Sequence, residues 1–178
     1  MNDIANLGLC MIVKNEEHCI ERCLESLSKY IQYWVICDTG STDRTKEVIT
    51  EFFEKKGIPG EIVDLPWKGF GASRSEALQC AKGKMEYAWM IDADDSLEGI
   101  PDLPSQMTAD GYSLRIKRGD FTWWRNQIFR LDKNWRYEGV LHEYAASEAG
   151  PNSITLPLNG EYHIEARTEG GRNLEIKI

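Results

Sequence analysis

Apolar positions alternate between two periodicities through the first half of the chain. Residues 7–13 (LGLCMIV) form an unbroken apolar run, the pattern of a strand buried on both faces. Ile20, Cys23, Leu24 and Leu27 then recur at helical spacing. Residues 33–37 are strand-like again and end in DTGSTDRT, after which Val48, Ile49, Phe52 and Phe53 return to the helical period. Ser41, Thr42 and Asp43 are candidate caps for that second helix. The spacing predicts a third strand over 61–65, a third helix over 72–81 stopped by Gly83, and a fourth strand over 87–91 that runs straight into DADD. Strands alternating with helices imply right-handed crossovers and a mostly parallel sheet.

The second half changes character. Pro101 and Pro104 punctuate a loop, and residues 112–117 and 122–130 look like strands of a hairpin or meander. Residues 141–146 and the stretches near Ile154 and Tyr162 are weaker strand candidates. There is no internal repeat and no linker, so residues 1–178 are expected to form one α/β domain with a mixed, mostly parallel sheet flanked by helices. The closing EARTEGGRNLEIKI reads as chain passing into something else, the pattern of an N-terminal part of a longer protein.

Composition narrows the classes. With 21 basic against 29 acidic side chains the chain carries a formal charge of −8, which argues against nonspecific polyanion binding. No apolar run reaches the roughly 18 residues of a membrane span, and the first residues lack the pattern of a secretory signal. Five cysteines is an odd number. Cys10, Cys37 and Cys80 sit in apolar stretches and no CxxC pair accompanies Cys19 and Cys23, so reduced thiols and a cytoplasmic compartment are expected.

The strand ends hold the chemistry. In MIDADDSL an apolar strand delivers Asp92, Ala93, Asp94 and Asp95 to the carboxyl edge of a parallel sheet, where open α/β sheets bind ligands. Crowded carboxylates there are relieved by a hard cation such as Mg²⁺ or Mn²⁺, although a solvated acidic turn has the same sequence. Asp38 ends strand two, and the Gly40-containing turn after it would let backbone approach a ligand; a plain helix cap is the competing reading. Lys14, Asn15, Glu16 and Glu17 end strand one, where acidic residues also suit a helix's first turn. Arg74 could reach a phosphate or be a surface charge, and His142 with Glu143 forms a His–carboxylate pair at a strand end. His163 has no comparable neighbourhood and reads as structural.

Taken together, KNEE, DTGSTD, FGASRSEAL, DADD and FRLDKNWRYEGVLHEY stand in the order found in small-domain family 2 glycosyltransferases of the GT-A fold, which the chain resembles over roughly residues 7–145. Ser75 departs from the pattern, since such members usually carry Asn after the arginine, and this leaves the local helix contact open. The resemblance implies a nucleotide diphosphate sugar donor, most often a UDP-sugar, and a Mn²⁺ or Mg²⁺ cofactor. It implies that Asp94 ligates the metal, Asp92 contacts the ribose or the metal shell beside Ala93, and His142 completes the metal or diphosphate contact. Asp38 would bind the base, with Val13, Asn15, Glu17 and Gly40 around it, and Arg74 would sit near base or diphosphate. Inverting transfer to an acceptor hydroxyl needs a base, for which Glu143 comes first, with Asp120 and Glu138 in reserve. Trp123 and Trp124 would offer a sugar platform or form a buried aromatic pair. The resemblance leaves the acceptor open among sugar, protein and lipid-linked molecules.

Three other readings fit part of this pattern. A nucleotidyltransferase would share the carboxylates, but no Gly-rich phosphate loop of the G-x-x-x-x-G-K type is present. A nucleic-acid module would use residues 115–136, which hold seven basic and two acidic side chains, but it leaves DADD unexplained. A noncatalytic nucleotide-sugar or acceptor binder is the alternative kept.

Overall fold

The computed structural model of the chain describes residues 5–139 and 143–171. The first half is the expected alternation: β1 (Ala5–Val13), α1 (Ile20–Leu27), β2 (Tyr33–Asp38), α2 (Thr45–Lys56), β3 (Gly60–Asp64), α3 (Phe70–Ala81) and β4 (Met85–Met90). Then come β5 (Ser96–Pro101), β6 (Gly111–Arg118), β7 (Phe121–Arg130), β8 (Arg136–Glu138), β9 (Tyr144–Ala146), β10 (Thr155–Pro157) and β11 (Gly160–Glu165). The main sheet runs β3-β2-β1-β4-β7-β6-β11-β5, with β10 on β6, while β8 and β9 pair separately.

Strands β3, β2, β1 and β4 are parallel neighbours. Beyond β4 the sheet is mixed, with β7 antiparallel to β4 and β6, β10 and β11 parallel to β6, and β5 antiparallel to β11. From β1 the chain steps outward to β2 and β3, then returns to the other side of β1 as β4. The order therefore reverses between β1 and β4, and their carboxyl ends open a crevice of the kind that binds ligands in doubly wound sheets.

Alternation along β1 shows why its run is unbroken. Leu9, Met11 and Val13 pack on the face covered by α1 and α2 together with Trp34, Ile36 and Trp89. Cys10 turns to the other face with Val35, Cys37, Ala77, Leu78 and Met90, beneath α3. Trp34 stacks on Phe53 at 4.5 Å between ring centres, tying β2 to α2. Trp89 is wholly enclosed, a burial that stabilises by about 3 kcal/mol and anchors β4 just ahead of its acidic loop. All five cysteines are free, and four are buried.

The structure adds β5 where a loop was expected around Pro101. It lies at the sheet edge against β11, where Pro101 is tolerated. The hairpin at 112–130 is present as β6 and β7. Of the candidate strand at 141–146, Tyr144–Ala146 is a strand, and residues 141 and 142 lie outside the described residues.

Candidate active site

A cleft opens at the β1/β4 switch point, with Val13, Thr39, Trp67, Arg74, Asp92, Ala93 and Asp94 in its lining. Its walls are loops held by one another. The Asn15 side-chain oxygen accepts the Thr42 N–H at 2.7 Å and the Asp43 N–H at 3.3 Å, while the Asn15 N–H donates to Ser41 Oγ. Glu17 accepts the Arg44 N–H at 3.2 Å. Asn15 takes a left-handed conformation, φ 54°, to make this bracket. Asn15 and Glu17 thus fasten the loop after β1 to the loop after β2, and Val13 and Lys14 face the cleft.

Asp38 is almost fully buried at 2% exposure. Its Oδ1 accepts the N–H groups of Gly40 and Ser41 at 2.9 and 2.8 Å, a turn that needs the left-handed backbone of Gly40. Its Oδ2 is buried without a hydrogen-bond partner among the described residues. Such an acceptor is costly to leave unmade, and a ligand N–H would satisfy it.

Arg74 is the hub of the opposite wall. It donates to Asp92 Oδ1 at 2.7 Å, and its other terminal nitrogen lies 3.6 Å from Glu143 Oε2. Its guanidinium also stacks near the rings of Phe70 and Tyr137. Burial would lower the arginine's pKa, but Asp92, Tyr137 and Glu143 outweigh it and raise it. Glu143 Oε1 accepts the Gly71 N–H at 2.8 Å, putting a carboxylate at the N-terminus of α3, where the dipole favours it. Only a glycine fits there without displacing it, since a Cβ on residue 71 would lie 2.9 Å from Glu143 Oε1.

The three acidic side chains of the DADD loop present oxygens within 4.8 Å of one another. Burial would raise Asp92, but Arg74 and Arg125 outweigh it and hold its carboxyl below the usual range. Burial and the charge of Asp92 push Asp94 up, and the same two causes push Asp95 up to about 7. That divergence is what buried carboxylates produce when they crowd one another and only one of them hydrogen-bonds an arginine side chain.

A strap beyond β11 closes over this loop. Asp94 Oδ2 accepts the N–H groups of Glu169 and Gly170, each at 2.9 Å, and Asp95 Oδ1 accepts that of Arg167 at 3.0 Å. The Glu169 carboxylate pairs with Arg22 at 2.6 Å. These bonds and that from Arg74 engage one oxygen on each of Asp92 and Asp94, so each has a second for a cation. Hard oxygen donors at this spacing fit Mg²⁺ or Mn²⁺.

Of the residues singled out from sequence, Val13, Arg74, Asp92, Ala93 and Asp94 line the cleft. Glu143 lies beside it against Arg74, whereas Asn15, Glu17, Asp38 and Gly40 build the loops behind. Asp120 is exposed in the β6–β7 turn and does not line the cleft. Glu138 is bonded to Arg136 and Tyr144. His142 lies outside the described residues. Trp123 and Trp124 are exposed, so they are not a buried aromatic pair. His163 pairs with Glu165 away from the cleft. Ser75 resolves its own departure from the pattern: its hydroxyl donates to Gly71 O and accepts the Tyr137 N–H, both at 2.9 Å, joining α3 to β8. Sequence reasoning missed Trp67, Phe70 and the strap. An aromatic pair in the Pro- and Gly-bounded PWKGFG was the signal for the first two, and nothing local marks the third.

An open α/β sheet with an acidic loop at its switch point and a mixed second half defines a GT-A fold. Residues 9–146 match the profile of glycosyl transferase family 2, and the chain belongs to that family. It is 34% identical over 150 residues to a TPR repeat-containing protein of Synechococcus elongatus, covering 79% of this chain and 35% of that protein. The chain therefore spans about a third of the length of this curated relative. In fold it is similar to Staphylococcus aureus TarS 1–349 in complex with UDP, with TM-score 0.61 and 16% identity over 90% of this chain and 60% of that one. It is also similar to a mannosyltransferase from Pyrobaculum calidifontis in complex with GDP-Man and Mn²⁺, with TM-score 0.50 and 19% identity over 65% of this chain and 37% of that one.

Proposed function

We propose that this chain is a metal-dependent glycosyltransferase that moves a sugar from a nucleotide diphosphate donor to an acceptor hydroxyl with inversion. The observation that carries this is the convergence of Asp92, Asp94 and Asp95 at the β1/β4 switch point, in a cleft that Arg74 shares. UDP complexed with TarS and GDP-Man with Mn²⁺ in the Pyrobaculum calidifontis mannosyltransferase support the donor class. In this reading Asp94 and Asp92 hold Mn²⁺ or Mg²⁺, with His142 as a further ligand, and the bound cation supplies positive charge to the diphosphate. Asp38 Oδ2 accepts an N–H of the base, and the UDP in complex with TarS supports a UDP-sugar. Val13, Asn15, Glu17 and Gly40 shape that end of the site.

The step itself breaks the bond from the anomeric carbon to the diphosphate oxygen, whose electron pair leaves with the nucleoside diphosphate. The acceptor oxygen bonds to the anomeric carbon from the opposite face and gives up its proton. With Asp92 assigned to the cation and Asp120 out at the hairpin turn, Glu143, whose Oε2 lies 3.6 Å from Arg74 beside the cleft, takes that proton. Arg74, held over Phe70 and Tyr137, stabilises charge developing on the leaving group. The free thiols suit a reducing, cytoplasmic setting. Among the described residues no helix is long and apolar enough to cross a membrane.

The test follows nucleoside diphosphate release from UDP- and GDP-sugars with Mn²⁺, water standing in for the acceptor. Metal-dependent release that falls about 100-fold or more in Asp94→Ala and in Glu143→Gln is expected. Tight donor binding with no release by the native chain would contradict transfer and support the noncatalytic binder instead.

A further inference from the structure

A second pocket lies beside the cleft and shares Arg74 and Asp92 with it. The remainder of its lining is Met90, Arg125, Gln127, Tyr137 and Glu143. Gln127 is only 1% exposed. Its Oε1 accepts the Trp89 indole N–H at 3.3 Å, and because an indole nitrogen only donates, this bond determines which end of the amide faces Trp89. Its Nε2 is then buried with no hydrogen-bond partner among the described residues. Leaving a buried donor unmade costs as much as an ordinary hydrogen bond contributes, so an amide in this state is set up for a partner that the protein does not supply.

The strand geometry places it there on purpose. Asn126 pairs with Ser113 and Ile128 with Tyr112, so Gln127 is the extra residue of a β-bulge in β7. Bulges re-aim side chains and concentrate near active sites. Arg125 reaches the same pocket from two residues earlier, its guanidinium 3.9 Å from the nearer Asp95 oxygen, too far for a firm bond. The pocket therefore offers two donors with capacity to spare and two carboxylates, Asp92 and Glu143, that can accept.

We infer that Gln127 and Arg125 form the hydroxyl-reading wall of the pocket that holds the transferred sugar, and that Gln127 is a specificity-determining residue. This rests on the donor reading above: a diphosphate lying between Asp94 and Arg74 leaves the next group of the donor, the sugar, facing the pocket beyond Arg74 and Asp92. Amide and guanidinium donors opposite carboxylates are what a ring bearing several hydroxyls requires, and a site built this way discriminates against analogues that lack the matching hydroxyl.

The test is calorimetric titration of the native chain, Gln127→Glu and Gln127→Leu with UDP, UDP-N-acetylglucosamine, GDP and GDP-mannose, all with Mn²⁺. Gln127→Glu keeps an acceptor for Trp89 and replaces the donor, so it separates the amide's reading of ligand from its support of the core. Both variants are expected to bind the sugar nucleotide about five- to tenfold more weakly while the matching nucleoside diphosphate changes less than twofold. Unchanged diphosphate binding also reports that the variants are folded. Equal weakening of both ligands, or of neither, would overturn the assignment of Gln127. Failure of the native chain to bind any of the four would instead overturn the donor reading on which it rests.

Discussion

Glu16→Gln is expected to stabilise the protein in a pH-dependent way. Glu16 follows β1, is 8% exposed, and accepts the Gly171 N–H at 3.1 Å and the Cys19 thiol at 3.4 Å through Oε2. Burial pushes its carboxyl from the ordinary 4.5 up to about 7. The folded state therefore holds this proton more tightly than the unfolded chain does. The resulting stability is fully present below about pH 4.5 and is lost as pH rises toward 7. Each unit is about 1.4 kcal/mol, so the loss above pH 7 is about 3 kcal/mol. Glutamine keeps the carbonyl acceptor and cannot ionise. At pH 8 the variant should gain about 3 kcal/mol, or about 6–12 °C in Tm for a chain of this size. At pH 4 it should match the native chain within about 0.5 kcal/mol. Asp94 and Asp95 are also raised, so the native profile slopes for their sake as well; the difference between the two chains isolates Glu16. Urea unfolding at half-unit steps from pH 4 to 8 measures it. Parallel profiles, or a gain confined to low pH, would refute the reasoning.

Two other substitutions separate stability from chemistry. Ser75→Ala removes the hydroxyl that bonds both Gly71 O and the Tyr137 N–H, and denaturant unfolding should show a loss of about 1–2 kcal/mol. Gly71→Ala directs a Cβ at the Glu143 carboxylate, the far end of a flexible side chain. Its unfolding free energy should move by less than about 1 kcal/mol while nucleoside diphosphate release slows at least tenfold.

The parallel half of the fold was legible because burial on both faces leaves a strong trace. β1 reads as an unbroken apolar run, and α1 places Ile20, Cys23, Leu24 and Leu27 on one buried face. β5 was not legible, because Gly99 and Pro101 are loop signals and an edge strand gives them room. The acidic loop could be found because a strand ending in carboxylates is unusual in itself. Gln127 could not, since one amide in WWRNQIFR acquires meaning only from the bulge and the Trp89 contact. The strap is likewise a product of tertiary placement: backbone N–H groups of Glu169 and Gly170 meet Asp94 across a long stretch of sequence, and backbone bonds leave no mark on composition.

The most direct test of the donor site is thermal unfolding with UDP, GDP, CDP and TDP, each with and without Mn²⁺. A ligand at a hundred times its Kd stabilises the native state by about 2.7 kcal/mol, or about 5–10 °C here. The account predicts such a rise with one nucleotide, dependent on Mn²⁺ and absent in Asp94→Ala. No rise with any pair, in a sample that unfolds cooperatively, would contradict it.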